Sequence, residues 1–138
     1  MAFLQSYSTC PGNFRVLSVM WATASNVALS ATASPGTTVV SYPLDATVFN
    51  AKYLILHASA TLYNSGSSAV NEVVQVFVGS SYINVHEVTV PASGYAVVSV
   101  QYVWSWQNMP GINTSVGIAG YGGSLTASYA YELMFTLG

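Results

Sequence analysis

Charged side chains are nearly absent from this sequence of 138 residues. Asp, Glu, Lys and Arg make up 4% of the chain, whereas about 25% is usual for a soluble domain. None of the four residue types occurs between Glu87 and Glu132. Because 52% of the residues are apolar, disorder is excluded and a substantial core is expected. The surface must therefore consist largely of Ser, Thr, Asn, Gln, Tyr and Gly.

Basic residues are especially scarce. Arg15 and Lys52 stand against four acidic residues, which gives a net charge of −2. Proteins that bind nucleic acid neutralise phosphates with a basic surface. Two cations cannot form such a surface, so we expect no direct contact with nucleic acid.

Long hydrophobic runs and paired cysteines are also missing. A membrane-spanning helix needs roughly 18 consecutive apolar residues, and Ser, Thr, Asn or Gly interrupts every apolar run, so no membrane span is expected. The N-terminal sequence MAFLQSYSTCPGNF has neither the basic segment nor the apolar segment of a signal peptide. Cys10 is the single cysteine, which excludes an internal disulfide.

Catalytic and metal-binding motifs are not found either. The sequence has no P-loop, no GxSxG, no HExxH and no Cys/His cluster. His57 falls on the polar face of its predicted strand, and the adjacent His86 and Glu87 should point to opposite faces. A glycosidase-like carboxylate pair stays open for Glu87 with Glu132, although Glu132 is predicted on the solvent face of its strand. We predict no catalytic residue, no cofactor and no metal, and hence not an enzyme.

What the chain does have is a series of short segments rich in Val, Ile, Thr, Tyr and Phe, separated by Gly and Pro. This spacing is typical of a β-sandwich or barrel. Residues 1–13 are predicted to be an N-terminal arm and residues 14–138 a single domain. The predicted strands are 14–22, 26–32, 37–42, 52–63, 72–79, 82–90, 94–104, 112–119 and 124–137.

Alternation of apolar and polar residues is clearest in three of these strands, 52–63, 94–104 and 124–137. One buried and one solvated face is the mark of an antiparallel sheet. The predicted inward residues of 52–63 are Leu54, Leu56, Ala58, Ala60 and Leu62. Those of 94–104 are Ala96, Val98, Val100, Tyr102 and Trp104. Those of 124–137 are Leu125, Ala127, Tyr129, Tyr131, Leu133, Phe135 and Leu137.

The later strands carry a family resemblance. The segments AKYLILHASATLYNSGSSAVNEVVQVFVG, VTVPASGYAVVSVQYVW, PGINTSVGIAG and LTASYAYELMFTLG resemble those of single jelly-roll viral structural proteins, and are similar to fibre-tip and C1q/TNF-like heads. The resemblance implies an all-β, single jelly-roll antiparallel sandwich of about eight or nine strands with a short N-terminal arm. It also implies that 124–137, 52–63 and 94–104 share one sheet, with 52–63 in the middle.

The resemblance and the lack of charge together predict a structural role. Low net charge promotes association, and uncharged contacts avoid the desolvation of ions. We expect a protein that self-assembles into a virus capsid or outer virion shell, with copies of itself and other virion proteins as partners. An archaeal virus is the expected source. The alternative is a trimeric fibre or spike head, or a carbohydrate-binding recognition module.

Exposed aromatic and apolar residues are the candidate contacts. Trp106, in the segment WSWQNMPG, is open to three interpretations: an interface anchor, the edge of the core, or a sugar-binding platform. Asn113 begins the sequence NTS, a formal acceptor for N-glycosylation. The predicted interface residues are Phe3, Leu4, Tyr95, Trp106, Met109 and Tyr121.

The four carboxylates also allow an expectation about pH. Acid unfolding acts mainly through carboxylates whose pKa differs between the folded and unfolded states. With so few of them, we expect stability to change little between about pH 3 and 7, as would suit an acidic environment.

Overall fold

The computed structural model describes residues 15–138; the predicted arm 1–13, with Phe3, Leu4 and Cys10, lies outside this range. The described residues form eight strands, one 3-10 turn and no α-helix, which confirms the all-β prediction. The elements are β1 (Val16–Leu29), β2 (Thr37–Pro43), the 3-10 turn Ala46–Phe49, β3 (Tyr53–Asn64), β4 (Val70–Val78), β5 (Ser81–Val90), β6 (Gly94–Ser105), β7 (Ser115–Tyr121) and β8 (Leu125–Leu137).

The strands form two antiparallel sheets that pack as a sandwich. The first sheet has the order β1-β8-β3-β6 and the second the order β2-β7-β4-β5. Two Greek keys wound into a pair of four-stranded sheets are a jelly roll, so the predicted fold is confirmed. The predicted grouping of the three longest alternating segments is also confirmed, because β3 lies between β8 and β6.

The core lies between the sheets and follows the alternation of β3 and β6. Leu54, Leu56 and Leu62 of β3 are fully buried, and Val98 and Val100 of β6 are buried beside them. Each such leucine or valine contributes about 1.5–3 kcal/mol relative to an exposed side chain. These two strands were predicted with the correct inward face.

β1 differs from its prediction, because the predicted strands 14–22 and 26–32 form one continuous strand. Asn26 has a φ of 54°, in the left-handed region. Its backbone shifts the alternation by one residue, so that Ala24 and then Val27 pack against the core. A change of phase within one strand looks, in the sequence, like two strands.

β8 contains a similar irregularity, and it overturns the predicted position of Glu132. Thr61 of β3 pairs with Tyr129, whereas the next residue, Leu62, pairs with Ala127. Ser128 is therefore an extra residue, a bulge, which exchanges the two faces of the rest of the strand. Glu132 points into the sandwich with 1% of its surface exposed, not to solvent.

The same bulge makes the prediction for Tyr129, Tyr131 and Leu133 wrong, whereas Phe135 is buried as predicted. All four residues were expected to face the core together with Leu125 and Ala127. Tyr129 and Tyr131 are instead exposed on the outside of the first sheet, while Ala130 and Met134 are buried between the sheets.

Part of the outer side of the second sheet, over β4, is covered by the chain itself. The buried Gln75 side chain accepts a hydrogen bond from Gly36 N at 2.9 Å and donates to Ser34 Oγ and Asn84 Oδ1, both at 2.9 Å. The loop between β1 and β2 is thereby fixed over β4.

The strand predicted at 112–119 begins later, at Ser115. Asn113 N donates to Leu44 O at 2.8 Å. Asn113 has a φ of 70°, in the left-handed region, which is not a strand conformation. Residues 112–114 are therefore part of a turn rather than of β7.

Candidate assembly surface

The outer side of the first sheet is a broad surface without charged side chains. We define it first by the outward residues of β3, which are Ile55, His57, Ser59, Thr61 and Tyr63. It also includes the residues of β6 and β8 that pair with them. Finally, it includes the residues of β1 that pair with those β8 residues. Among these described residues there is no Asp, Glu, Lys or Arg. We call this surface the uncharged face.

Large apolar side chains stand exposed across the uncharged face. Trp21 of β1 is 66% exposed, and Val97 and Tyr95 of β6 are 68% and 61% exposed. Tyr129 and Tyr131 of β8 are also exposed between these edge strands. Scattered apolar residues are normal on a protein surface, whereas large apolar patches are found at interaction sites, so this face is the candidate interaction surface.

The polar groups of the uncharged face are mainly hydroxyls. Near its centre Ser99 Oγ donates to Ser59 Oγ at 3.3 Å, and Tyr131 Oη lies 3.5 Å from His57 Nε2. The rings of Tyr63 and Tyr95 pack together with a centroid distance of 4.6 Å. Such groups hydrogen-bond without carrying the desolvation penalty of an ion.

Both cations of the chain lie at one end of this face. Arg15 N donates to Gly138 O at 2.9 Å, and Lys52 N donates to Leu137 O at 2.7 Å. Arg15 and Lys52 therefore flank the end of β8, outside the rows that define the uncharged face. The basic side chains are therefore confined to the edge of the uncharged face at the end of β8.

The predicted interface residues do not form a single surface. Of those within residues 15–138, Tyr95 lies on the uncharged face. Trp106 and Met109 are half-buried in the loop after β6 and pack against the core. Tyr121 is half-buried on the outer side of the second sheet, where its hydroxyl accepts a hydrogen bond from Asn84 Nδ2 at 3.2 Å.

Sequence analysis missed Trp21, Tyr129 and Tyr131 as surface residues. The tyrosines were assigned to the core because the alternation was continued through the bulge at Ser128. A serine beside an alternating aromatic pair was a weak signal of that bulge. Trp21 alternates regularly with the inward residues of β1. The exposed Val19 and Thr23 at the same spacing could have predicted that Trp21 faces outward.

A cavity of about 420 Å³ opens at the end of the sandwich where the β4–β5 hairpin meets the loop after β6. Its walls include Trp104 and Trp106, whose rings stack at 5.9 Å with an angle of 8°. Ser80, Ser81 and Thr114 also contribute to its lining. Its lining contains no charged side chain, and we call it the tryptophan cavity.

Asn113 is exposed in the loop before β7, and its neighbour Thr114 is half-buried. The backbone nitrogen of Asn113 is held by Leu44 O, as described above, so the loop presents the Asn113 side chain outward. Glycosylation of Asn113 stays a prediction.

Two carboxyl groups are buried inside the sandwich. Both carboxyl oxygens of Glu132 are buried without a hydrogen-bond partner, and its strand neighbours at this level are Ala22 and Ala58. Burial raises the pKa of Glu132 from 4.5 to about 8. Glu132 is therefore protonated at neutral pH, because its ionised form would have to leave water without compensation.

Glu72 of β4 is the second buried carboxyl group, and glycines of the GYGGS segment make room for it. Gly123 N donates to Glu72 Oε1 at 3.1 Å, and a Cβ at Gly120 would lie 2.8 Å from Glu72 Oε2. Burial raises the Glu72 pKa from 4.5 to about 7, against the opposing effect of the Gly123 hydrogen bond.

Asp45 behaves in the opposite way. Burial alone would raise its pKa, but hydrogen bonds from the Ser18 hydroxyl and from the hydroxyl and backbone nitrogen of Thr47 together lower it. Asp45 also caps the 3-10 turn Ala46–Phe49.

The described residues bring no catalytic constellation together. Glu87 is exposed on the outer side of the second sheet, whereas Glu132 lies between the sheets, so they are not a carboxylate pair. Within residues 15–138 no group of three or more His, Cys, Asp or Glu could hold a metal ion. No helix in the described part of the chain is long and apolar enough to cross a membrane.

Comparison with known proteins finds similarity in structure but not in sequence. No protein-family model and no curated protein matches the chain. The structure of an infectious bursal disease virus particle, the T13 particle, matches with a TM-score of 0.52 and 15% identity over 88% of this chain and 32% of that chain. The D431N mutant VP2 protein of the same virus, in T=1 particles, matches with a TM-score of 0.50 and 15% identity over 88% of this chain and 33% of that chain. The PRD1 vertex protein P5 matches with a TM-score of 0.46 and 16% identity over 88% of this chain and 96% of that chain.

The chain spans about a third of the length of the infectious bursal disease virus chains that it matches. At such low identity the likeness shows the fold. The expected likeness to C1q/TNF-like heads stays a prediction, and the resemblance to viral jelly-roll structural proteins is confirmed: this chain has the jelly-roll fold found in viral capsid proteins.

Proposed function

We propose that this chain is a structural protein that self-assembles into a virus capsid or outer virion shell. The observation that carries the proposal is the uncharged face, on which exposed Trp21, Tyr95 and Val97 stand without any charged neighbour among the described residues. The jelly-roll fold supports it, because viral capsid proteins share that fold.

An isolated domain would have to keep this apolar surface in contact with water. Large apolar patches on a protein surface usually mark interaction sites, and Trp21, Tyr95, Val97, Tyr129 and Tyr131 are all exposed on the outer side of the first sheet. Low net charge gives little mutual repulsion. A subunit that spends its life assembled avoids both liabilities, because a neighbour covers the surface.

The loop end of the sandwich supplies a second contact. Phe49, in the turn before β3, is 72% exposed and borders a recess of about 240 Å³ that Met109 also lines. Trp106 lies in the same loop as Met109. Together with Tyr95 on the uncharged face and Tyr121 on the second sheet, these residues would give a subunit contacts on several sides, as a shell requires.

The partners that follow are copies of this chain and other virion proteins, in a virion. Arg15 and Lys52 lie together at one rim of the molecule, as shown above, and cannot neutralise a row of phosphates. We therefore propose that another component contacts the genome.

Electron microscopy of the purified full-length chain tests the proposal. Samples incubated between pH 4 and 7 at rising protein concentration should contain closed particles or lattices of regular subunit spacing. Dispersed monomers under all of these conditions, alone and with the other proteins of the source particle, would contradict the proposal.

A second candidate function is recognition of a neutral sugar, and the tryptophan cavity is the observation that favours it. Stacked indole rings beside Ser and Thr hydroxyls suit the apolar faces and hydroxyl groups of a hexose. Titration of the chain with neutral mono- and disaccharides should then quench Trp fluorescence in the wild type and not in Trp106→Ala. An unchanged spectrum at millimolar sugar would exclude this function.

A further inference from the structure

We propose that two copies of this chain pack their uncharged faces against each other across a two-fold axis. The inference rests on the proposed function and deepens it, because it names the contact through which shell subunits first pair. It commits the uncharged face to a second copy of the same chain.

The size of the uncharged face fits a stable pair. Strands lie about 4.8 Å apart and rise about 3.4 Å per residue. Four strands and the nine residues of β3 from Ile55 to Tyr63 therefore outline roughly 20 by 30 Å, about 600 Å². A specific interface typically buries about 600–1,000 Å² from each partner, so the face reaches the lower end of that range.

The lack of charge decides what kind of surface can cover this face. A partner with ionised side chains would lose their hydration and find no opposite charge among the outward residues. The partner surface must therefore be apolar and uncharged, with hydroxyls or amides for hydrogen bonds. A second copy carries such a surface, of the same size and shape.

The chemistry of the face also fits a two-fold contact. In such a contact the same patch meets itself, so that each group must tolerate its own kind opposite. Charged groups of one sign fail this test by repulsion, whereas Ser59, Ser99 and Tyr131 pass it because a hydroxyl both donates and accepts. The sheets of two copies can pack about 10 Å apart with aligned strands, as in a β-sandwich.

The contact also has a consequence for growth. A two-fold contact closes on itself and produces a dimer. Further assembly must use another surface, and the exposed Phe49 and the half-buried Met109 at the loop end are left free for it. Dimer formation and shell formation are therefore separable by substitution.

Sedimentation velocity of the full-length chain with charged substitutions tests the contact. Trp21→Lys with Val97→Lys places a cation on each edge strand of the uncharged face, at positions that are exposed and so should not disturb folding. We expect dimerisation to weaken by at least about 100-fold. Phe49→Lys is the control for one such charge, since it adds one cation at a more exposed apolar residue outside the face, and it should leave the dimer intact.

Cross-linking tests the two-fold geometry. Ser59, at the centre of the face, would lie opposite its own copy at a Cα distance of about 10 Å, too far for a disulfide but within reach of a short bismaleimide. In a Cys10→Ser background, Ser59→Cys should yield a covalent dimer, and Thr38→Cys, exposed on β2, should not. A Ser59→Cys chain that stays monomeric would overturn the proposal, whether its thiol is freely labelled or is shielded by another part of the same chain.

The outcomes separate this inference from the proposed function. If particles form normally from the Trp21→Lys, Val97→Lys chain, the shell function stands and the face-to-face contact is wrong. If the wild type forms dimers and never particles, the contact stands and the shell function fails. If the wild type stays monomeric throughout and forms no particle with its virion proteins, both fail.

Discussion

The outer sides of the two sheets are opposites in how their side chains are used. On the first sheet, apolar Trp21 and Val97 face solvent, with two-thirds of their surface exposed. On the second, polar Gln75 faces outward and is nevertheless 1% exposed, and Phe77 stacks on Tyr82 at 5.0 Å. Large apolar side chains are therefore exposed on the first sheet, whereas a polar side chain is buried on the second.

The difference shows which side the chain completes by itself. The loop between β1 and β2 lies across the second sheet and satisfies Gln75 through Gly36, Ser34 and Asn84. No described segment lies across the first sheet in the same way. A buried polar group costs free energy unless it is hydrogen-bonded, and an exposed apolar patch is costly until it is covered. The chain therefore shelters the centre of the second sheet by itself, whereas the proposed function assigns the covering of the first sheet to a neighbouring copy.

The largest effect should come from removing the close backbone approach on which the second sheet depends. A Cβ at Gly117 of β7 would lie 2.0 Å from Val40 O, so β2 would have to move. We expect Gly117→Ala to lower the free energy of unfolding by about 3 kcal/mol or more, measured by urea denaturation. The control is Gly111→Ala, where an added Cβ meets no atom within 4 Å; equal stability of the two variants would contradict this packing.

The next effect concerns the carboxyl groups between the sheets. The folded pKa values of about 7 for Glu72 and about 8 for Glu132 exceed the ordinary 4.5, so their contribution to stability is complete below pH 4.5 and is lost as pH rises to 8. One pKa unit is worth about 1.4 kcal/mol, so we expect a loss of at least about 3 kcal/mol across that range. Thermal melts from pH 4 to 8 measure this loss, and they distinguish it from the near-constant stability between about pH 3 and 7 that the sequence predicts.

Below about pH 4 the free energy of unfolding should fall with decreasing pH instead of with increasing pH. The lowered pKa of Asp45 stabilises the fold above its ordinary value of 3.8, and this contribution is lost as pH falls through the folded pKa. Stability should therefore be greatest near pH 4–5. Glu132→Gln should flatten the fall toward neutral pH, whereas the exposed Glu87→Gln should not; a wild-type profile that rises toward pH 8 would refute the burial argument.

A matched pair of glutamines compares the two outer sides directly. Gln75→Ala removes three hydrogen bonds and leaves Gly36 N without its acceptor, which should cost about 2–3 kcal/mol. Gln101 lies on the uncharged face and is exposed, so Gln101→Ala should change stability by less than about 0.5 kcal/mol. Chemical denaturation at low protein concentration measures both, and similar costs would erase the contrast between the sheets.

The smallest effect is the concentration dependence of the melting temperature. If copies cover each other's uncharged face, mass action stabilises the folded state at high concentration. A tenfold increase should raise the wild-type Tm by about 2 °C or more. The Trp21→Lys, Val97→Lys chain should melt at one temperature throughout, and a wild-type Tm that is equally constant would speak against association.

The sequence predicted the fold where alternation is uninterrupted. β3 and β6 alternate without a bulge, so their inward faces, their shared sheet and the exposed uncharged row Tyr95, Val97, Ser99 and Gln101 followed from the pattern. The alternation did not predict the inward faces of β1 and β8 correctly. In these strands the left-handed Asn26 and the extra residue Ser128 exchange the two faces. That error placed Glu132 in solvent and hid Tyr131 from the candidate surface.

Other features depend on contacts between distant segments. Gln75 is an ordinary polar strand residue until Ser34 and Gly36, about 40 positions earlier, fold over it. The sequence around Gly117 does not indicate that the carbonyl oxygen of Val40 packs directly against its Cα. The glycines of the GYGGS segment make room for Glu72, which only the pairing of β4 with β7 reveals.

A cryo-EM map of particles assembled from the purified full-length chain tests the central claim most directly. The account predicts that the outer side of β1, β8, β3 and β6 is covered by protein density from another copy, with Ser59 near the contact centre. A map in which that side faces open solvent, while the outer side of the second sheet makes the contacts, would contradict it.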